Sequence, residues 1–248
     1  MKFLKILYTT LAAVAFFSFF LMIFPFFWLF IQRESWKPYG HFLNKLWAYL
    51  VFGVCLLPTK VVFRYRPSTR KRYVYCANHS SYLDIPSLAF ALPGYFMFIG
   101  KASLTKLPLF GYMFRNLYIP VDRSNSRSKV DTIKKSIEAI EKGRSVAYFP
   151  EGTIPKGHAP QMIPFKDGAF RVAIETQVPI VPVTICYNWI IFPDKAPRII
   201  TRHLMKVIVH EPIPTEGLSL KDLDALKDKT YQVLQHELER HQKYAEKA

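Results

Sequence analysis

The hydrophobic pattern divides the chain into two unlike parts. From Ile6 to Gln32 no charged residue interrupts an apolar run, which exceeds the roughly 20 residues that a helix needs to cross a bilayer. Pro25 lies inside it and removes one helical hydrogen bond. A second apolar segment, His41 to Pro58, has Lys45 near its start and then about a dozen uncharged residues, short for a span and suited to an interfacial helix. After that the period changes. Runs rich in β-branched and aromatic residues at 61–66, 72–77, 95–100, 117–121, 145–150, 180–185 and 205–210 predict strands. Between them, Val130, Ile133, Ile137 and Ile140 recur at helical spacing, and the stripe stops at Gly143, a natural helix terminator. Further helices are predicted from about Asp167 to Gln177 and from Leu220 to about Tyr244, the latter with Leu223, Leu226, Leu234 and Leu238 on one side. Such alternation implies an α/β fold with a mostly parallel sheet flanked by helices over 59–248, behind an N-terminal membrane-embedded helical segment over 1–58.

Composition narrows the function. Half of the 248 residues are hydrophobic and 16% are aromatic, which excludes a disordered chain. Lys and Arg outnumber Asp and Glu 34 to 18, so polyanions are the expected partners. The apolar N-terminus decides which polyanion. Lys2 and Lys5 resemble the start of a signal peptide, but the stretch is too long and "RESWKPYG" follows it, without a small-x-small cleavage site. A retained anchor plus basic charge points to anionic membrane lipids and away from nucleic acid. Basic residues stand at both ends of the first run, Lys2 and Lys5 at one and Arg33 and Lys37 at the other. A kinked helix pair entering one leaflet keeps them all cytoplasmic, whereas a span would not. Cys55, Cys76 and Cys186 are odd in number and scattered, which fits a reducing compartment and offers no metal spacing.

Three short segments carry candidate chemistry. In "ANHSSYLDIP", His79 and Asp84 are five positions apart, about 140° on an ideal helix, so they do not share a helical face. Pro86 suits a first helical turn, which puts the helix start near Asp84 and His79 in the loop before it. From that loop the imidazole can fold back to the carboxylate, which would fix its tautomer and leave Nε2 as a base. A capping Asp84 beside an ordinary loop histidine explains the same spacing. In "YFPEGTIPKG", a strand runs into a Gly-containing turn, at the strand end where open α/β sheets bind ligands; a plain turn has the same residues. Arg123 in "LYIPVDRSNS" and Lys101 in "FIGKASL" each follow a strand and could hold a phosphate, though most surface cations are simply solvated. His236 and His241 are expected on a solvated helix. The chain has no G-x-S-x-G elbow, no P-loop and no H-E-x-x-H.

Taken together, N-H-S-S-Y-L-D, K-A-S-L-T-K-L-P-L-F-G, Y-I-P-V-D-R, F-P-E-G-T and V-P-I-V-P-V-T-I follow one another across residues 78–185. This series closely resembles the bacterial lysophosphatidate (1-acylglycerol-3-phosphate O-) acyltransferases of the glycerolipid acyltransferase family, over roughly residues 60–212. The resemblance implies that His79 and Asp84 are catalytic. It implies that Arg123, with Glu151, Gly152 and Thr153, grips the glycerol phosphate, and that residues 178–185 serve the acyl donor or local structure. Lys101 joins the acceptor set as a cation. It also implies an enzyme at the cytoplasmic face of the cell inner membrane with no resident cofactor or metal, using acyl-CoA or acyl carrier protein as co-substrate and a lysophospholipid as acceptor. One block departs from the pattern. Where Arg-Ser often follows F-P-E-G-T, this chain has Ile154-Pro155-Lys156, so Lys156 or Lys166 would supply the cation, as a point charge rather than a bidentate fork. Another lysolipid acceptor, or a non-catalytic lipid-binding role on the same fold, are the competing readings.

Overall fold

The computed structural model describes residues 2–155 and 159–245. Its first helix, α1 (Lys2–Ile31), continues through Pro25. Ala12, Phe20, Ile23, Phe27 and Ile31 recur at helical spacing and are buried, whereas Phe3, Leu7, Leu11, Val14, Phe17 and Leu21 are exposed. Among the described residues, Phe3–Ile31 is the one helix long and apolar enough to cross a membrane by length and composition. The chain turns at Glu34–Trp36 into α2 (Lys37–Val54), which starts before the expected His41 because Pro38 pre-sets its first turn. The two helices are antiparallel. Phe30 lies 5.6 Å from Tyr39, Trp47 Nε1–H donates to the Phe16 carbonyl at 2.9 Å, and the Tyr8 hydroxyl donates to the Cys55 carbonyl at 2.7 Å. Glu34 fastens the elbow, pairing with Lys37 and with Arg144.

The remainder is a seven-stranded sheet with helices on both faces. In chain order it comprises β1 (Thr59–Phe63), β2 (Val74–Ala77), α3 (Asp84–Ala91), β3 (Phe96–Lys101), α4 (Phe110–Leu117), β4 (Ile119–Val121), α5 (Ser126–Glu141) and β5 (Ser145–Tyr148). Then follow α6 (Gly168–Thr176), β6 (Ile180–Ile185), α7 (Asn188–Ile191), β7 (Met205–Val209) and α8 (Leu223–Ala245). The strand order is β1-β7-β6-β2-β5-β3-β4. Every pairing is parallel except β6 with β7. β2 to β6 therefore all end at one edge of the sheet.

The alternation of side chains along each strand fills two cores. Tyr73, Tyr75 and Ala77 face a cluster built with α1, α2, α3 and α4, while Val74 and Cys76 face one built with α5, α6 and α8. The α1–α2 pair is thus part of the main packing. Phe20 and Phe27 share a cluster with Val181 and Val207. Of the expected α5 stripe, Ile140 is buried and Ile133 and Ile137 pack against the core, while Val130 is exposed. Thr132, Ser136 and Ala139 are buried beside them, and the Tyr148 hydroxyl, 2.7 Å from Ser136 Oγ, gives that polar position a partner inside.

Candidate active site

His79 and Glu151 lie just beyond the ends of β2 and β5, and Lys101 and Arg123 at the ends of β3 and β4. The strand order sets them along one edge in the sequence His79, Glu151, Lys101, Arg123. With neighbouring strands about 4.8 Å apart, the β4 end stands roughly 14 Å from the β2 end.

The loop between β2 and α3 folds around Asp84. Its Oδ2 accepts from the backbone N–H groups of Ser80 at 2.6 Å and Ser81 at 2.8 Å, and lies 2.9 Å from His79 Nδ1. Its Oδ1 accepts from Asn188 Nδ2 at 2.9 Å. Asp84 is fully buried, and its carboxylate turns back to the loop and caps none of its own helix's amides. The capping explanation of the five-residue spacing therefore fails. An ionised carboxylate with this many donors is well compensated, which is how a charge persists in a dry site.

His79 is held on its other sides too. Its ring stacks on Phe149, with centroids 4.0 Å apart and planes 17° from parallel. Its backbone N–H donates to Glu151 Oε1 at 2.7 Å, while Glu151 Oε2 accepts from the Ile163 N–H at 3.2 Å. Asn78 pins the residue before it, exchanging two hydrogen bonds with the backbone of Ile185. With Nδ1 committed to Asp84, Nε2 has no hydrogen-bond partner among the described residues. The imidazole is therefore fixed in place with one nitrogen open.

Glu151 is buried, and burial pushes its carboxyl up to about 7; the two backbone donors act against that shift, and the Asp84 charge adds to it. Its carboxylate is spent on backbone N–H groups, so it positions the His79 loop. Gly152 has φ +76 and closes the turn with an N–H bond to the Phe149 carbonyl at 2.9 Å; a side chain there would be strained. Thr153 and Lys101 are exposed. Arg123 is half-buried, which lowers its guanidinium pKa. Lys101 and Arg123 make no hydrogen bond or ion pair among the described residues. Lys156 lies outside the described residues. Lys166 runs beside the turn, its Cγ 3.6 Å from where a Gly152 side chain would begin.

Sequence reasoning missed Asn188, Phe149 and Asn78. Asn188 is fully buried at the start of α7, donates to Asp84 and to Ser87 Oγ at 2.9 Å, and leaves its own Oδ1 without a partner among the described residues. Phe149 could have been found, as the residue between β5 and P-E-G-T.

An oriented imidazole with an open nitrogen, at the carboxyl edge of a mostly parallel sheet, has the geometry to accept a proton. The chain belongs to the Acyltransferase family, whose model matches residues 59–186. It is 35% identical over 178 residues to the chloroplastic 1-acyl-sn-glycerol-3-phosphate acyltransferase BAT2 of Brassica napus, covering 71% of this chain and 51% of that protein. It is also 35% identical over 153 residues to the 1-acyl-sn-glycerol-3-phosphate acyltransferase of Saccharomyces cerevisiae, covering 60% and 50%. The chain spans about half the length of these relatives. Its fold matches the crystal structure of the 1-acyl-sn-glycerophosphate acyltransferase PlsC from Thermotoga maritima, with a TM-score of 0.75, 22% identity, and coverage of 95% of this chain and 97% of that one.

Proposed function

We propose that the protein transfers an acyl chain from a thioester, acyl-CoA or acyl carrier protein, to the sn-2 hydroxyl of lysophosphatidate, giving phosphatidate. The observation that carries this reading is the His79–Asp84 contact at 2.9 Å with Nε2 left open on a stacked ring. In this reading Asp84 holds Nδ1–H, and Nε2 takes the proton of the sn-2 hydroxyl as its oxygen attacks the thioester carbonyl carbon. Backbone N–H groups or nearby cations stabilise the tetrahedral oxyanion. Collapse breaks the C–S bond, and the imidazolium returns its proton to the departing thiolate. The balance closes without a covalent enzyme intermediate or a resident cofactor. Arg123 supplies the principal phosphate contact, helped by Lys101, Lys166 and the Gly152–Thr153 turn. The names carried by the relatives support the acceptor assignment.

Ile154-Pro155-Lys156 in the third block favours a second reading, a different lysolipid acceptor. Assaying the purified protein on a panel of lysolipids with both donors decides between them. Highest kcat/KM on lysophosphatidate supports the first reading, preference for another lysolipid the second, and no transfer to any acceptor defeats both.

The enzyme would work at the cytoplasmic face of the inner membrane, with α1 and α2 held in one leaflet. Contacts along α1 support this: the Ile200 N–H donates to Thr9 Oγ1 and Gln32 Nε2 to the Tyr112 hydroxyl, near its two ends. A helix bound to the sheet domain throughout its length lies along it, leaving the outer aromatic face for lipid. Taking a lysolipid directly from the leaflet avoids exposing its tail, at about 0.8 kcal/mol per CH₂. Single cysteines at Lys2 and Lys37, in a background lacking the native three, test the topology. Periplasmic labelling of either position by an impermeant reagent would establish a span.

A further inference from the structure

Away from His79, a concavity of about 440 Å³ lies between α8 and the β1–β7 edge of the sheet. Arg64 reaches it from the end of β1, Lys206 from β7, and Arg240 and His241 from α8, around Glu237 and against Tyr187. A solvated helix face was expected here for His241, but that histidine is largely buried. Its Nδ1 is 2.9 Å from the Tyr187 hydroxyl, and its Nε2 is 3.3 Å from Lys206 Nζ and 3.2 Å from Glu237 Oε1. Burial first, then the nearby Lys206 charge, lowers its pKa, with Arg240 adding to that effect against Glu237. The shift favours the neutral imidazole. Glu237 is buried and pairs with Arg64, fixing that guanidinium. Among the described residues, one carboxylate then faces three permanent cations, a net positive charge.

Size and chemistry agree on the ligand class. The volume falls within the range of small-ligand sites, and a paired guanidinium beside an exposed one and an ammonium matches the oxygens of a phosphate group. The place matters as well. The Cys186 N–H bonds to the Lys206 carbonyl at 3.0 Å, Tyr187 lines the concavity, and the next residue, Asn188, holds Asp84. We propose that this concavity is a second anion site, one that binds a phosphate monoester or diphosphate group beside the catalytic edge. On the reading of the protein as an acyltransferase, that group comes either from the soluble donor or from an anionic lipid headgroup.

The test uses the full chain and does not depend on turnover. Titration calorimetry with pyrophosphate and with adenosine 3′,5′-bisphosphate compares wild type with the Lys206→Gln/Arg240→Gln double variant. Flotation on phosphatidylcholine vesicles, with and without phosphatidylglycerol, forms the second arm. An affinity loss of at least about 10-fold for the soluble phosphates assigns the site to a soluble donor. A lost preference for phosphatidylglycerol, with no soluble binding in wild type, assigns it to a headgroup. Variant and wild type behaving alike in both arms overturns the proposal. Should the double variant unfold, Arg240→Gln alone, at an exposed position, carries the same comparison. A protein inactive on every lysolipid that still bound these phosphates would refute the acyl-transfer reading and leave this site standing.

Discussion

Among the described residues there are two histidine–carboxylate pairs, His79 with Asp84 and His241 with Glu237, and they differ in what is left open. His241 and Glu237 sit one turn apart on α8, a spacing that brings them together through helix geometry alone. Both of that ring's nitrogens are engaged, by Tyr187 on one side and by Lys206 and Glu237 on the other. His79 and Asp84 span a loop and a helix start, where helix geometry alone does not bring them together. Two backbone amides, Asn188 and Glu151 supply the force instead. The difference teaches that what a pair can do depends on what its surroundings withhold. The network around His79 spends Nδ1, the ring face and the backbone N–H, and leaves Nε2 unspent.

The strongest way to break this contrast is His79→Ala. Loss of a general base should lower kcat by roughly 10²- to 10⁴-fold, with circular dichroism and membrane binding unchanged. A variant retaining most of its turnover would refute the proposed chemistry. Asp84→Asn should be milder than His79→Ala yet still severe, because it keeps an oxygen for the loop amides but removes the charge that stabilises the imidazolium. Rotation of the Asn188 amide can accommodate the new NH₂, so the thermal midpoint should move little.

Arg123→Ala comes next. It removes a charge-assisted contact of roughly 1.5–3 kcal/mol, so kcat/KM on lysophosphatidate should fall about 10- to 100-fold. A phosphate-free acceptor should be hardly affected; equal losses would make Arg123 structural. His241→Gln sharpens the comparison from the other side. Its expected effects are a loss of about 1 kcal/mol in unfolding free energy from broken hydrogen bonds and an unchanged kcat. A drop in kcat would mean that this pair, too, reaches the chemistry.

A separate effect concerns pH. The Glu151 carboxyl rises from 4.5 to about 7 on folding, so the native state favours its protonated form. Its contribution to stability is full below pH 4.5 and is lost as pH rises through about 7. Denaturant titrations across that window should show a wild-type decline that Glu151→Gln lacks. Parallel curves would mean that Glu151 is not titrating there.

The strands were legible because each carries a dense β-branched and aromatic run between Pro or Gly breaks, as in "IVPVTI" and "SVAY". α4 and α7 escaped notice for the opposite reason, since eight and four residues give too few turns for a helical period to stand out. At the site, the H-x4-D spacing revealed both partners but not their contact, which depends on tertiary donors. The part Glu151 plays in holding the His79 loop was hidden for the same reason. One of its carboxylate oxygens meets a backbone amide 72 residues away, and an amide leaves no mark in a side-chain pattern. Asn188, 104 residues from Asp84, was invisible on the same grounds.

The pairing of β1 has a consequence for biosynthesis. Among the described residues its only strand neighbour is β7, at residues 205–209, so β1 waits for it while the whole intervening chain is translated. At usual ribosomal speeds that wait is on the order of ten seconds. Throughout it, the aromatic outer face of α1 is already outside the ribosome and attached to an orphan strand. A nascent chain supplied with vesicles can bury that face while it waits, whereas one made in a lipid-free translation mixture has only other nascent chains to meet. The yield of folded protein should therefore depend on whether lipid is present during translation, more than on whether it is added afterwards.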